Sequence, residues 1–357
     1  MHLLIIFYIS LLLTLLFTPF FIEYFTKHKI IDLPGSRRIN TQAVPRMGGV
    51  LIYFTLISSI ICFYSDLNEI KFFILGSVLI LIVGVIDDIR EVTYKKKFAV
   101  QFVTALFLIT FLAPNYSTVS LLGFNIPSPF DKAILVLFIV GVINAINLYD
   151  GLDGLVTGFS LLIAFVTFLI GWQMQDKLLL ILSASLMGSL IGFLKYNSFP
   201  AKIFLGDSGS LTLGFFLVTV VLISSTNTNT GNMDLTFSVI LLAAPVIDTL
   251  KVMAVRILKH KNPFLADKSH IHYIILGSEI RHKATVYILQ GFSILFASVA
   301  IYYLVSSTIA GIVLFVLLAV PLLFIKRILN VYRKLGLSLS VKKFYMKVSA
   351  VHNKFLG

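Results

Sequence analysis

Charged side chains are scarce in this chain of 357 residues: they make up 13% of it, whereas hydrophobic residues make up 58%. A soluble domain is nearer half apolar and a quarter charged, so the composition excludes an ordinary water-soluble protein. The single cysteine, Cys62, excludes an intramolecular disulfide, and no internal repeat or low-complexity tract is visible. No polar stretch is long enough to fold alone in water. These absences predict one continuous bundle of membrane-spanning helices.

Long apolar runs predict eleven membrane spans, because one helical span needs about 20 apolar residues. The first run has no basic segment before it and no small-residue cleavage site after it, so we expect a retained helix rather than a signal peptide. The predicted fold class is an all-α polytopic membrane protein with a bundle over 1–325 and a basic tail over 326–357. The predicted spans are 3–25, 48–65, 71–87, 98–114, 132–149, 155–173, 178–194, 208–226, 235–256, 286–305 and 308–325.

The basic residues predict the orientation of the chain in the membrane. If the spans alternate, all but three of the 29 Lys and Arg residues fall on one side; the exceptions are Lys71, Lys132 and Lys177. The positive-inside rule then places the N-terminus outside and the C-terminus in the cytosol. The net charge of +13 is divided among membrane loops, so it does not indicate nucleic-acid binding, which needs a continuous basic surface.

Five polar clusters fall on the predicted inner side, at or near the ends of spans. A charged group at membrane depth is costly unless it is paired or hydrated, so we expect these clusters to form a functional site at the cytosolic boundary. The outer loops, 114–131 and 226–234, carry no comparable cluster. The five are a first-loop cluster with Arg37, Arg38 and Val44–Gly49, then Gly84–Arg90, Asn144–Gly154, Phe204–Ser210 and Asp267–Tyr273.

Asp87 and Asp88 form an adjacent acidic pair at the end of the third span. Repulsion between neighbouring carboxylates favours a bound divalent cation or a nearby basic side chain, and a carboxylate that holds its proton more tightly suits a general base. Ordinary solvation at a helix end is the alternative. The three lysines that follow, Lys95 to Lys97, suit either phosphate binding or anchoring at the membrane interface.

The segment Phe204–Ser210 predicts a phosphate or metal loop at the N-terminus of the eighth span. Glycines let the backbone approach a ligand, and the free N–H groups of a helix N-terminus favour anions. Asp207 suits Mg²⁺, which prefers one or two carboxylates together with substrate phosphates. Packing of small residues between helices is the alternative, which accounts for the glycines but not for Asp207.

His270 and His272 are two residues apart, which does not place them on one helix face, so a zinc site of the H-E-x-x-H kind is not supported. Either both imidazoles reach a phosphate from an extended segment, or both are solvated loop residues.

The run Asp150–Gly154 superficially resembles a calcium loop but lacks the later ligands of an EF-hand. Asp248, inside the ninth span, suits an ion pathway or the lining of a site.

Taken together and in order, the motifs resemble those of the polyprenyl-phosphate N-acetylhexosamine-1-phosphate transferases. This family includes undecaprenyl-phosphate GlcNAc-1-phosphate transferases and phospho-MurNAc-pentapeptide translocases. The resemblance implies transfer of a HexNAc-1-phosphate, most simply GlcNAc-1-phosphate, from a UDP-sugar to undecaprenyl phosphate in the bilayer, with loss of UMP. It also implies Mg²⁺, with Mn²⁺ as second candidate, a bacterial inner-membrane location, a homodimer, and initiation of a cell-envelope polysaccharide such as O-antigen or teichoic acid.

The resemblance further implies a role for each residue that matches a family motif. Asp207 corresponds to the metal ligand, and Asp87 and Asp88 to the acidic pair that acts as base or positions phosphate. The substrate-side positions are Asn147 and Asp150 near the nucleotide sugar, Asp153, Asn197 and Phe204 on the uracil side with Phe204 stacked on the base, and Lys95, His270 and His272 at the diphosphate.

One departure from the family pattern concerns the histidine segment. GlcNAc-type members carry His-x-His-His, whereas this chain has Tyr273 in the last position, which replaces a basic contact with a phenol. The Arg-Met-Gly-Gly run and the His-x-His spacing favour the GlcNAc branch over the MurNAc-pentapeptide branch. A transporter is disfavoured because its polar groups would gather near the midplane in related halves, and a structural scaffold would leave five polar clusters without a purpose.

Overall fold

The computed structural model describes residues 2–33, 43–227, 229–262, 269–306 and 308–334. Of the residues singled out above, Arg37, Arg38 and Asp267 lie outside the described residues, as does the tail beyond residue 334. The described residues form fourteen α-helices: α1 (His2–Lys27), α2 (Gly48–Phe63), α3 (Lys71–Ile89), α4 (Tyr94–Leu112), α5 (Phe130–Tyr149), α6 (Leu155–Met174), α7 (Lys177–Asn197), α8 (Gly206–Ser224), α9 (Leu235–Leu241), α10 (Ala243–Leu258), α11 (Ile271–Leu276), α12 (His282–Val305), α13 (Thr308–Leu323) and α14 (Ile325–Lys334).

The polytopic helical fold is confirmed, whereas the count of eleven spans is not. Within the described ranges, eight helices are long and apolar enough to cross a membrane: α1, α3 to α8, and α12. The predicted ninth span is broken into α9 and α10, which meet at 86°, and the last predicted span bends by 59° into α14. Counting each bent pair as one span gives up to ten. The second predicted span is the short apolar helix α2, of 16 residues.

Helix α8 is the centre of the bundle. Its apolar stretch is 83% buried within the protein, whereas that of α1 is 22% buried. Helices α2, α3, α5, α6 and α7 surround α8, so the residues at its N-terminus are positioned by several neighbours at once. The exposed apolar side chains on α1, such as Leu12, Leu16 and Phe20, are suited to lipid contact.

Two small sheets depart from the purely helical prediction. Strand β1 (Ile31–Asp32) pairs with β2 (Val44–Pro45) at the polar end of the bundle. At the opposite end, β3 (Thr118–Leu121), β4 (Phe124–Ile126), β5 (Thr226–Asn227) and β6 (Asn232–Asp234) form a sheet of order β4-β3-β6-β5, in which β3 and β6 are parallel. The strands come from two loops more than 100 residues apart, and such pairing leaves no local sequence signal.

Candidate active site

The N-terminus of α8 is capped by a carboxylate from α3. Oδ1 of Asp88 accepts a hydrogen bond from the backbone N–H of Asp207 at 2.8 Å, and Oδ2 accepts one from Ser208 at 3.0 Å. The first N–H groups of a helix have no partner within the helix, and an anion beside them also interacts favourably with the helix dipole. Gly206 adopts a φ of +72°, and a Cβ there would lie 2.5 Å from Asp88 Oδ2. The glycine therefore allows the cap to form.

Glycines also bring α2 and α3 onto the first turn of α8. A Cβ at Gly49 would overlap the backbone of Gly209, and one at Gly84 would lie 2.5 Å from the Cα of Ser208. Small residues at helix crossings allow this close approach of backbones. Gly49, Gly84 and Gly209 thus serve helix packing, which is the alternative that the sequence left open for glycines in the Phe204–Ser210 segment.

The side chain of Asp207 lies between a carboxamide and an ammonium group. Its Oδ1 accepts a hydrogen bond from Nδ2 of Asn147 at 2.6 Å, and its Oδ2 lies 2.9 Å from Nζ of Lys97. Lys97 also forms an ion pair with Asp87, and Oδ1 of Asp87 accepts a hydrogen bond from the backbone N–H of Val92 at 2.6 Å. One lysine therefore joins the acidic pair of α3 to the acidic residue of α8.

Asp248 anchors the histidine segment. Its Oδ1 accepts a hydrogen bond from the backbone N–H of Ile271 at 2.7 Å, and its Oδ2 lies 3.0 Å from Nδ1 of His270. The two imidazoles stack with centroids 5.6 Å apart. Both are buried, at 4% exposure for His270 and 0% for His272, so they are not solvated loop residues. Asp248 therefore holds the histidine segment in place and does not itself line the cavity.

A cavity of about 310 Å³ opens where these elements meet. Its walls carry Asp88, Asn147, Asp150, Asp153, Asn197, Phe204 and Asp207, together with Asp32, Arg46, Ser210 and Tyr273. Several of these side chains are already held in place. Nδ2 of Asn197 donates to the carbonyl of Ile203 at 2.9 Å, and Oδ2 of Asp153 accepts from the backbone N–H of Ala201 at 2.9 Å.

Burial shifts the pKa values of three ionisable groups in and behind this wall. Burial, with Asp153 and Asp88 nearby, raises the pKa of Asp150 to about 7. Burial lowers the pKa of His272 to about 4, against an opposing influence of Asp248. His272 is therefore neutral at pH 7 and adds no charge behind the cavity wall. Burial and the nearby Asp150 raise the pKa of the Tyr273 phenol, which stays protonated.

The structure gathers most of the predicted site residues. Seven of them line the cavity, and Asp87, His270 and His272 lie behind its wall. Lys95 is exposed and does not line the cavity; the neighbouring Lys97 takes the central position. Lys97 lies four residues before Gln101 on the same face of α4, but the burial of Gln101 is known only from the structure, so the sequence did not single out Lys97. Arg46 belongs to the predicted first-loop cluster, but its ion-pair partner Asp32, which also lines the cavity, was not predicted.

Comparison with known proteins agrees with this arrangement. The model of "Glycosyl transferase family 4" matches residues 70–225, which contain α3 to α8 and the acidic residues around Asp207. A "Probable undecaprenyl-phosphate N-acetylglucosaminyl 1-phosphate transferase" of Bacillus subtilis is 32% identical over 308 residues, covering 85% of each chain. The chain belongs to glycosyl transferase family 4.

Two other members of the family show the breadth of the match. The "Undecaprenyl-phosphate alpha-N-acetylglucosaminyl 1-phosphate transferase" of Thermotoga maritima is 34% identical over 298 residues, which cover 84% of this chain and 89% of that protein. A "Phospho-N-acetylmuramoyl-pentapeptide-transferase" of Caldanaerobacter subterraneus is 33% identical over 229 residues, covering 57% and 70%. This family 4 member thus resembles relatives of both the GlcNAc type and the MurNAc type, at 32% to 34% identity.

Proposed function

We propose that the protein transfers GlcNAc-1-phosphate from UDP-GlcNAc to undecaprenyl phosphate, with release of UMP. The observation that carries the proposal is Asp207 at the N-terminus of α8, held between Lys97 and Asn147 on the wall of a cavity with four acidic neighbours. The names of the two GlcNAc-type relatives support the same substrates. The names of the MurNAc-type relatives, one of which matches over 82% of this chain, make transfer of a MurNAc-pentapeptide phosphate the second candidate.

The cavity is suited to a nucleotide sugar. Phe204 offers a ring for stacking on uracil, and the buried amide of Asn197 is held beside it by Thr157 and Ile203. Asp150 and Asp153 line the cavity and can accept hydrogen bonds from hydroxyl or N–H groups of the donor. Arg46 also lines the cavity, and Lys97 is ion-paired with Asp207 on its wall. We propose that these groups bind the donor, with its diphosphate directed towards Asp207.

Mg²⁺ fits the donor set of this site. The described residues contain no group of three His, Cys, Asp or Glu side chains that alone could hold a metal. Mg²⁺ instead favours one or two carboxylates completed by substrate phosphates, and Asp207 on the cavity wall offers hard oxygen ligands of that kind. We propose Asp207 as its protein ligand; the ion would neutralise charge on the phosphates during transfer.

The reaction forms one phosphorus–oxygen bond and breaks another. An oxygen of undecaprenyl phosphate attacks the phosphorus attached to the sugar, and the bond from this phosphorus to the bridging oxygen of UDP breaks, so UMP leaves. The attacking oxygen is largely ionised near pH 7, so no side chain has to remove a proton from it. We propose that Lys97 offsets the charge of the approaching phosphates, while Asp88 keeps the first turn of α8 in place.

The site is proposed to face the cytosol. The site lies at the span ends joined by the predicted inner loops, and these loops and the tail carry nearly all the basic residues of the sequence, which the positive-inside rule assigns to the cytosolic side of a bacterial inner membrane. The polymer initiated by the product, Mn²⁺ as an alternative ion and the homodimer stay predictions.

The test is an assay of the purified full chain with undecaprenyl phosphate and a panel of UDP-sugars. We expect Mg²⁺-dependent formation of lipid-linked GlcNAc with an equal amount of UMP, and loss of both with EDTA. Product from UDP-MurNAc-pentapeptide alone would favour the second candidate. Absence of UMP release with every donor, from protein that is folded and monodisperse, would reject the proposal.

A further inference from the structure

Two amides clamp α4 to α5 one turn away from the partners of Asp207. Nδ2 of Asn144 donates to Oε1 of Gln101 at 2.6 Å, and Nε2 of Gln101 lies 3.3 Å from Oδ1 of Asn144. Gln101 is completely buried. Asn144 is also tied to its own helix, because Nδ2 donates to the carbonyl of Val140 at 2.7 Å. The pair is thus a reciprocal interhelical contact between two predicted spans.

Helix geometry connects this clamp to the site. Lys97 precedes Gln101 by four residues on α4, and Asn147 follows Asn144 by three on α5. Residues at these spacings share a helix face, one turn or about 5.4 Å apart. Lys97 and Asn147 contact the two different oxygens of Asp207. The clamp therefore lies directly behind both side chains that hold the carboxylate.

We infer that Gln101 and Asn144 are positioning residues for phosphoryl transfer: their amide pair sets the register of α4 against α5, so that Lys97 and Asn147 meet Asp207 together. The inference rests on the proposed function, because catalysis is its readout. Without the pair, apolar packing still holds the helices, but small sliding becomes possible. A displacement of about 1 Å in a catalytic array can cost on the order of 100-fold in rate.

The alternative is that the pair only stabilises the bundle, as interhelical hydrogen bonds do in other membrane proteins. A matched control for that role exists in the same chain. Oγ1 of Thr167 on α6 and Oγ of Ser183 on α7 lie 2.9 Å apart, both fully buried, and neither residue lines the cavity. Removing this contact with Thr167→Val measures the cost of losing an interhelical hydrogen bond without affecting the site.

The deciding variant is Gln101→Met, which keeps the length of the side chain, removes its hydrogen bonds and leaves Asn144 bonded to Val140. We expect kcat to fall about 10-fold with KM for UDP-GlcNAc changed less than about 3-fold, because Asn197 at the end of α7 and Phe204 before α8, the proposed contacts to the uracil, are untouched. Thr167→Val should keep the kcat of wild type even at an equal loss of Tm. The exchanged pair Gln101→Asn/Asn144→Gln should recover most of the lost kcat.

The inference is overturned if folded Gln101→Met retains the kcat of wild type, if its loss is no greater than that of Thr167→Val, or if KM rises while kcat does not change. If Gln101→Met does not fold, Gln101→Asn supplies the same readout, since it keeps an amide but shortens its reach. An inactive wild type would instead reject the proposed function, so the two failures are distinguishable.

Discussion

The carboxylate of Asp88 accepts a hydrogen bond from the backbone N–H of Asp207 at 2.8 Å, so Asp88 holds the backbone of Asp207 and not its side chain. The acidic pair of α3 is therefore a support for the acidic residue of α8. This leaves the Asp207 carboxylate directed to Lys97 and Asn147 at the cavity. One acid positions the chain segment and the other is available to ligands.

The first prediction concerns Asp88→Asn. An amide has a single acceptor oxygen, so its NH₂ group would oppose one of the two backbone N–H groups. Leaving a buried donor without a partner costs about 1–3 kcal/mol, and the turn carrying Asp207 should shift. We expect a lower Tm and at least about a 100-fold lower kcat. Asp234→Asn, at the cap of α9, is the control; an equal loss of activity there would contradict a local effect.

Asp207→Asn should abolish transfer while the protein stays folded. The carboxamide retains an acceptor for Asn147 but lacks the charge that Lys97 and a divalent cation require. We expect UMP release to fall by at least about 1000-fold, consistent with the loss of an electrostatic group central to phosphoryl transfer. Size-exclusion profile and Tm check the fold. Full turnover by this variant would reject the assignment of the metal ligand.

Gly151 and Gly141 provide a pair of matched substitutions. A Cβ at Gly151 would overlap Nε2 of His272, whereas one at Gly141 meets nothing within 4 Å. Gly151→Ala should therefore displace the buried imidazole or the Asp150 loop and lower kcat/KM by about 10-fold or more. Gly141→Ala, within α5, should leave activity unchanged and gain a little helix stability. Equal behaviour of the two variants would show that His272 has no influence on the site.

Tyr273 offers a test of donor recognition. Its ring contacts His272 with centroids 4.3 Å apart, it lines the cavity, and no hydrogen bond to its hydroxyl occurs within the described residues. We expect the phenol to donate to the UDP-sugar, so Tyr273→Phe should raise KM by about 3- to 10-fold, the loss of one hydrogen bond. Tyr273→His should retain a donor and a near-normal KM at pH 8. An unchanged KM in the Phe variant would exclude the contact.

The raised pKa of Asp150 predicts a dependence of stability on pH. The native state holds this proton up to about pH 7, whereas the unfolded chain releases it near the ordinary value of about 4. The native state therefore binds more protons between these values, and the contribution of Asp150 to stability decreases as pH rises from about 4 to about 7.

We expect Tm, measured without substrate or divalent cation, to fall less between pH 5 and pH 8 in Asp150→Asn than in wild type. Glu23→Gln, at an exposed position on α1, should retain the full decrease. A decrease as large in Asp150→Asn as in wild type would contradict the raised pKa.

Most site residues could be predicted because placing a charged side chain at membrane depth costs free energy, so such residues stand out in the sequence. Asp150 and Asp207 are expensive at a span end unless they have a function, and the pattern of spans and basic loops gathers them at one end. The sequence alone did not distinguish Lys97 from Lys95, because both are lysines in the first turn of α4. Only the packing of α4 shows that Lys97 faces the site. The four-stranded sheet pairs loops that are distant in sequence, and no local sequence signal predicted it.

The sequence by itself determined that this is a polytopic helical membrane protein and which polar clusters share one end, because apolar runs and the distribution of basic residues can be read from each segment alone. The order of the polar motifs was enough to show the family resemblance. Only the tertiary structure decided the partners: Asp88 as the cap of α8, Lys97 between Asp87 and Asp207, and Asp248 behind His270. It also decided that the ninth apolar run is bent by 86°. These contacts depend on how helices that are far apart in sequence pack against one another, and the hydropathy of a single helix does not predict which neighbour it packs against.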